Sequence, residues 1–132
     1  MKGICYLAGP VTNTAWTKAR DWRKLVTEEL NDAGIEVLDP TRHGLLTIDA
    51  LITEFCYNDV KRCDVILVNF LDTDRISVGT LLEVGWAYAL GKPIVLMSNQ
   101  DYEWDYGIYK DITKLRSRSL MDGVADVRSV IG

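Results

Sequence analysis

Residues 64–69 read Asp64-Val65-Ile66-Leu67-Val68-Asn69, an almost unbroken apolar run rich in β-branched residues and closed at both ends by polar ones. A strand with one wet face alternates apolar and polar positions, so a continuous run of this length predicts a strand covered on both faces. Such a strand belongs in the middle of a parallel sheet. Working outward, Ile4-Cys5-Tyr6-Leu7-Ala8, Ile35-Glu36-Val37-Leu38 and Ile94-Val95-Leu96-Met97 are further strand-length runs, bounded by Gly9-Pro10, Gly34 and Lys92-Pro93. Between them, Trp16, Ala19, Arg20, Arg23, Val26, Thr27 and Leu30 recur at spacings of three and four, which predicts a helix over 16–33 ended by Gly34. Further helices are predicted over 48–63 and over 79–90, the second stopping at Gly91. Residues 39–44 read as a loop because Pro40 and Gly44 punctuate them, residues 99–109 read as irregular, and 120–131 predict a closing helix.

Strands alternating with helices define an α/β chain with right-handed crossovers: a three-layer sandwich around a parallel, Rossmann- or flavodoxin-like sheet of about four to five strands. At 132 residues, the expectation is one domain over 1–132. In such sheets small ligands bind beyond the carboxyl ends of the strands, which directs attention to the loops after Ala8, Leu38 and Asn69. Fifteen Lys and Arg against nineteen Asp and Glu give a net charge of −4, so nothing draws a nucleic acid polymer. The apolar runs are too short for a signal peptide or a membrane span. The three cysteines, Cys5, Cys56 and Cys63, show neither disulfide nor zinc-type spacing, which points to a reducing, cytoplasmic setting and to no metal or other cofactor.

The segment richest in chemistry is Ile76-Ser77-Val78-Gly79-Thr80-Leu81-Leu82-Glu83-Val84-Gly85-Trp86-Ala87. Ser77, Gly79 and Thr80 open a helix, where free N–H groups, hydroxyls and the dipole suit an anion. Glu83 lies one turn further in and either faces solvent or points into the mouth of a pocket. The small residues Gly79, Gly85 and Ala87 favour close approach of a ligand or partner. Asn69 points toward the ligand end of its strand, Asp64 reads as a structural cap, and Arg42 is a candidate phosphate or base contact. His43 is the lone histidine.

These segments resemble the nucleoside 2-deoxyribosyltransferase family. The resemblance rests on Tyr6-Leu7-Ala8-Gly9-Pro10, on Asp64 to Asn69, and on Ser77-x-Gly79-Thr80-x-x-Glu83-x-Gly85-x-Ala87 followed by Gly91-Lys92-Pro93. It implies cleavage of the N-glycosidic bond of 2-deoxynucleosides or their 5′-monophosphates, with the sugar passed to another base or to water. It makes Glu83 the nucleophile that forms a glycosyl ester and Tyr6 the residue that hydrogen-bonds and orients it. Gly9, Pro10, Arg42, Cys56, Asn69, Ser77, Gly79 and Thr80 are then expected to contact substrate. Relatives usually carry an aspartate at the position of Cys56, where it serves the leaving base; Asp59, one turn on, is the nearest carboxylate and the candidate substitute. Members acting on monophosphates carry serine six positions before the nucleophile, which Ser77 matches, although Asp72 and Asp74 precede it.

Two other readings stay open. A phosphoribohydrolase of ribonucleoside monophosphates also uses a Gly-Thr-x-x-Glu helix, with an approach loop richer in glycine than Ile76-Ser77-Val78, and a nucleotide-binding or sensing domain without turnover is suggested by Cys56. The resemblance implies small-molecule partners, a nucleoside or nucleotide and a nucleobase. It also implies a homo-oligomer, dimer or larger, in which a neighbour closes a shared site, and Trp104, Tyr106 and Tyr109 are expected as exposed interface aromatics.

Overall fold

The computed structural model describes residues 2–11, 16–43, 49–73, 77–99 and 107–132. Five strands, β1 (Gly3–Ala8), β2 (Ile35–Leu38), β3 (Val65–Asn69), β4 (Ile94–Met97) and β5 (Leu115–Ser117), form one parallel sheet in the order β2-β1-β3-β4-β5. The expected α/β architecture is therefore observed. β1 and β3 lie side by side, with Tyr6 opposite Ile66 and Ala8 opposite Val68.

Among the described residues, five helices cover the sheet: α1 (Trp16–Asp32), α2 (Asp49–Arg62), α3 (Val78–Ala89), α4 (Ile108–Ile112) and α5 (Leu120–Ile131). The period-two alternation of the strands sorts the core into two layers. Cys5, Leu7, Val65, Leu67, Val95 and Met97 pack with Trp22, Val26, Leu30, Val124 and Val127 of α1 and α5. Tyr6, Ala8, Ile66, Val68, Ile94 and Leu96 face the other way, toward Val60 of α2 and Cys63 just past it, Val84 and Ala87 of α3, and Tyr109 of α4. Gly34 and Gly91 stand just past α1 and α3 at φ +81° and +71°, the left-handed conformation that ends a helix without a Cβ penalty.

The expected elements are all present, and three more accompany them, one of them α4, which begins at Ile108 inside the stretch expected to be irregular. Pro40–His43 form a 3-10 turn inside the expected loop. Leu115–Ser117 form an edge strand that its three mixed residues do not announce; it exists because β4 offers a free edge, on which Val95, Leu96 and Met97 pair with Leu115, Arg116 and Ser117. Tyr109 corrects an expectation: it is only 8% exposed, edge-on to Phe70 with ring centroids 5.7 Å apart, and so is core rather than interface. Asp74, Trp104 and Tyr106 lie outside the described residues.

Candidate active site

The site forms where β1, β3 and the start of α3 meet. Ser77 is the N-cap of α3, its hydroxyl oxygen accepting from the Thr80 N–H at 3.3 Å, as a serine in extended conformation before a helix does. The buried stripe of α3 is Thr80, Val84 and Ala87. Glu83 lies beside that stripe, three residues from Thr80 and four from Ala87, which turns its side chain toward the sheet. There the Tyr6 hydroxyl donates to Glu83 Oε2. Of the two orientations open to Glu83, the inward one is the one observed.

Burial is the main cause that raises the Glu83 carboxyl from 4.5 to about 7. The Tyr6 hydrogen bond and the Arg23 charge oppose that rise, and the negative charge of Asp59 adds to it. Tyr6 itself is fully buried, and its phenol is pushed well above 10 by desolvation first and then by the Glu83 charge. Tyr6 therefore holds its proton and stays a donor to the carboxylate.

α2 brings Cys56 and Asp59 to the same place. The half-buried Cys56 thiol has its pKa raised, chiefly by desolvation. Asp59 is 5% exposed and accepts from Arg42 Nη2 at 2.6 Å, while Arg42 Nη1 donates to the Asp39 carbonyl at 2.8 Å. Arg42 thus spans the loop after β2 and α2, with its side chain partly exposed. Cys5 and Cys63 are buried, and burial raises both thiols, that of Cys63 to about 11.

Gly9 and Asn69 close the floor. A Cβ on Gly9 would stand 3.0 Å from Trp22 Cζ2 and 3.4 Å from the Asn69 carbonyl oxygen, so only glycine lets the ends of β1 and β3 and the indole meet here. Pro10 follows, half-buried. The Asn69 amide oxygen accepts from the Leu71 N–H at 2.9 Å and shapes the turn leaving β3. Asp72, at φ +56°, exchanges hydrogen bonds with Asn99 at 3.1 and 2.7 Å, tying together the loops after β3 and β4. Asp64 is the expected cap: its Oδ2 accepts from the Ile4 N–H at 2.8 Å.

Thr80 is 1% exposed, and its hydroxyl oxygen has no partner among the described residues. Gly79 and Gly85 face outward, and a Cβ on Gly85 would meet nothing within 4 Å, whereas Ala87 belongs to the core. The outer face of α3 carries Val78, Leu81, Leu82 and Tyr88, all exposed. No group of His, Cys, Asp and Glu able to hold a metal ion occurs among the described residues, and none of their helices is long and apolar enough to cross a membrane.

One participant was not singled out from sequence. Arg23 is completely buried at the end of the sheet, donating from Nη1 to the Ala19 carbonyl at 2.8 Å and from Nη2 to the Gly9 carbonyl at 3.0 Å. Its Nε lies 3.4 Å from Asp39 Oδ1, an ion pair without an aligned hydrogen bond. The same Asp39 oxygen accepts from the Thr41 N–H and hydroxyl at 2.8 and 2.7 Å. The signal in the sequence was an arginine on the apolar stripe of a helix, where a guanidinium has to find internal partners.

A family model described as "Nucleoside 2-deoxyribosyltransferase" matches residues 5–118. No curated protein matches the sequence. Among solved structures, the fold is similar to the 2-desoxiribosyltransferase of Leishmania mexicana, with a TM-score of 0.77 at 19% identity over 96% of this chain and 97% of that one. It is also similar to the 2-deoxyribosyltransferase of Bacillus psychrosaccharolyticus, with a TM-score of 0.71 at 23% identity over 90% and 88%. The CMP N-glycosidase of Clostridium botulinum superposes with a TM-score of 0.64 at 19% identity over 94% and 97%. At these identities the likeness is one of fold.

Proposed function

The chain belongs to the nucleoside 2-deoxyribosyltransferase family, and from that premise we propose that it cleaves the N-glycosidic bond of a 2-deoxynucleoside or its 5′-monophosphate through a glycosyl ester on Glu83. The observation that carries this reading is the Tyr6 hydroxyl on Glu83 Oε2 at the carboxyl end of β1. That bond fixes one carboxylate oxygen and leaves Oε1 to meet the anomeric carbon.

In the first half, Glu83 Oε1 forms a bond to C1′ as the C1′–N bond breaks, and the departing electron pair remains on the base, which takes a proton from the solvent. In the second, water or the ring nitrogen of another base attacks C1′ and releases its proton to the solvent, the C1′–Oε1 bond breaks, and the carboxylate returns. Both transition states resemble an oxocarbenium ion, which a nearby fixed carboxylate stabilises before it bonds. Cys56 and the Arg42–Asp59 pair face the leaving base. Asp59 already accepts from Arg42, so in this reading it acts on the base together with that arginine. A 5′-phosphate fits the opening of α3, where Ser77 keeps its O–H to donate and the helix end supplies N–H groups. Nucleotide salvage in the cytoplasm suits such a substrate and three unpaired thiols.

We also place a second copy of the chain on the outer face of α3, so that a homo-oligomer covers the helix that carries Glu83. The exposed Val78, Leu81, Leu82 and Tyr88 around the open Gly85 support it.

The deciding experiment incubates the protein with deoxynucleosides, ribonucleosides and their monophosphates, with and without a second base, and separates the products by chromatography. Base release from a deoxyribosyl substrate is expected, with Glu83→Ala slower by several orders of magnitude and a sugar adduct on Glu83 visible by mass spectrometry. Near-normal turnover in Glu83→Ala refutes the mechanism. Ser77→Asp is expected to weaken monophosphate use and spare the free nucleoside; equal effects on both refute the phosphate assignment.

A further inference from the structure

We propose that Arg23 is a positioning residue for this reaction: from the α1 side of the sheet it fixes the Gly9 turn that ends β1, three residues beyond the Tyr6 that holds Glu83, and it sets behind that turn a buried positive charge that favours the carboxylate form of Glu83. The inference rests on Glu83 being the nucleophile and adds to it what opposes the neutralising effect of burial on that carboxylate.

The geometry is unusual for a structural arginine. Arg23 is the largest fully buried side chain among the described residues, and it spends two of its donors on main-chain carbonyls, at Ala19 and Gly9. Its guanidinium also lies 4.8 Å from the Trp22 ring centre. Asp39 is the carboxylate paired with it, at 3.4 Å, and Asp39 shares the same oxygen with Thr41. Arg23 is fully buried, so the part of its field that Asp39 does not offset is weakly screened. Glu83, Tyr6 and Cys56 all feel it. Gly9 is the means of approach: the absent side chain lets α1 lean over the end of β1, three residues beyond the Tyr6 that holds Glu83.

The other titratable groups around Glu83 do not provide this charge. Tyr6 comes from β1 and Cys56 from α2, and both are neutral there; Asp59, also from α2, is negative and opposes ionisation. Arg42, from the loop after β2, is engaged with Asp59 at 2.6 Å. Asp39, from that same loop, partly offsets Arg23, so the two residues should act on Glu83 in opposite directions.

The test follows the Glu83 carboxyl by carbon-13 NMR and the pH profile of base release in Arg23→Met, Arg23→Lys and Asp39→Asn, with circular dichroism as a control of folding. Arg23→Met is expected to move the Glu83 midpoint upward by about one pH unit, lowering the rate about tenfold on the acid side and much less on the alkaline side. Arg23→Lys should keep the midpoint near wild type, and Asp39→Asn should move it downward. A purely structural arginine would lower activity evenly across pH with the midpoint unmoved, and that result overturns the proposal. Should Arg23→Met not fold, Asp39→Asn decides alone: an unchanged or raised midpoint overturns it. If the wild type releases base from no substrate, the glycosidic reading fails, while the carboxyl titration still decides the part played by Arg23.

Discussion

Replacing Glu83 by glutamine should make the protein more stable as it destroys activity, and the gain should depend on pH in a defined way. Burial lifts the Glu83 carboxyl from 4.5 to about 7. Between those values the folded protein holds a proton that the unfolded chain has released, so stability falls as pH rises through the window. Fully developed, the difference corresponds to about 3 kcal/mol. Since the side chain is not wholly buried, we expect roughly 2–3 kcal/mol after allowing for solvent screening. Glutamine keeps an acceptor for the Tyr6 hydroxyl and the shape of the carboxylate while removing the charge. Urea unfolding of both proteins, followed by tryptophan fluorescence from pH 4 to 8.5, isolates the effect, because all other titrating groups cancel in the difference. Glu83→Gln should match wild type to within a small constant offset below about pH 4.5 and gain steadily until about pH 8. A difference that stays flat across pH, or one that favours wild type at pH 8, would show that the carboxylate is not strained by burial.

Tyr6→Phe keeps the buried ring and removes the donor to Glu83, so base release should fall roughly 10- to 100-fold and its acid limb should move to higher pH; a normal rate in the variant would contradict the orienting role. Cys56→Asp places a second carboxyl beside Glu83 and Asp59, so the limb should also move upward while release of base quickens at alkaline pH, read from the pH dependence of kcat; loss of folding by circular dichroism would instead mark Cys56 as a packing residue. Gly123→Ala sets a Cβ 2.4 Å from the buried Met97 Sδ, so despite the better helix former it should cost about 1–2 kcal/mol in urea unfolding; an unchanged midpoint would show that Met97 moves aside freely.

The parts of this molecule legible in sequence are those whose cause is local. β3 declares itself because every side chain of Val65 to Val68 is buried, and burial on both faces leaves a continuous apolar run. Ser77 declares the start of α3 because a hydroxyl before a helix satisfies a free N–H. The motif around Glu83 carried the family, yet the inward turn of its side chain came from the structure, since composition at position 83 fits a wet face equally well. β5 was not legible: three mixed residues become a strand only because Val95 to Met97 present an unfilled edge. Tyr109 misled for the same reason, its aromatic ring being covered by Phe70, a neighbour 39 positions away in the chain. Arg23 lay in plain view on the apolar stripe of α1, and the partners that make sense of it, the Gly9 carbonyl and Asp39, come from two separate loops.

Why those loops converge follows from the strand order. β1 has β2 on one side and β3 on the other, so the chain leaves β1 in one direction and returns past it in the other. α1 therefore packs on one face and α2 and α3 on the opposite one. At the carboxyl end of β1 the connections to these two faces diverge and leave a crevice, the usual place for a ligand in such sheets. Tyr6 reaches into it from the α3 face, Arg23 from the α1 face, and Gly9 is the thin point between them. On the proposed reading, in which Glu83 is the nucleophile, the hydrogen-bond donor that holds the carboxylate and the cation that favours its ionisation sit on separate supports. The switch in strand order provides that separation: a hydroxyl in contact with Glu83, and a guanidinium held one turn of backbone away behind the Gly9 carbonyl.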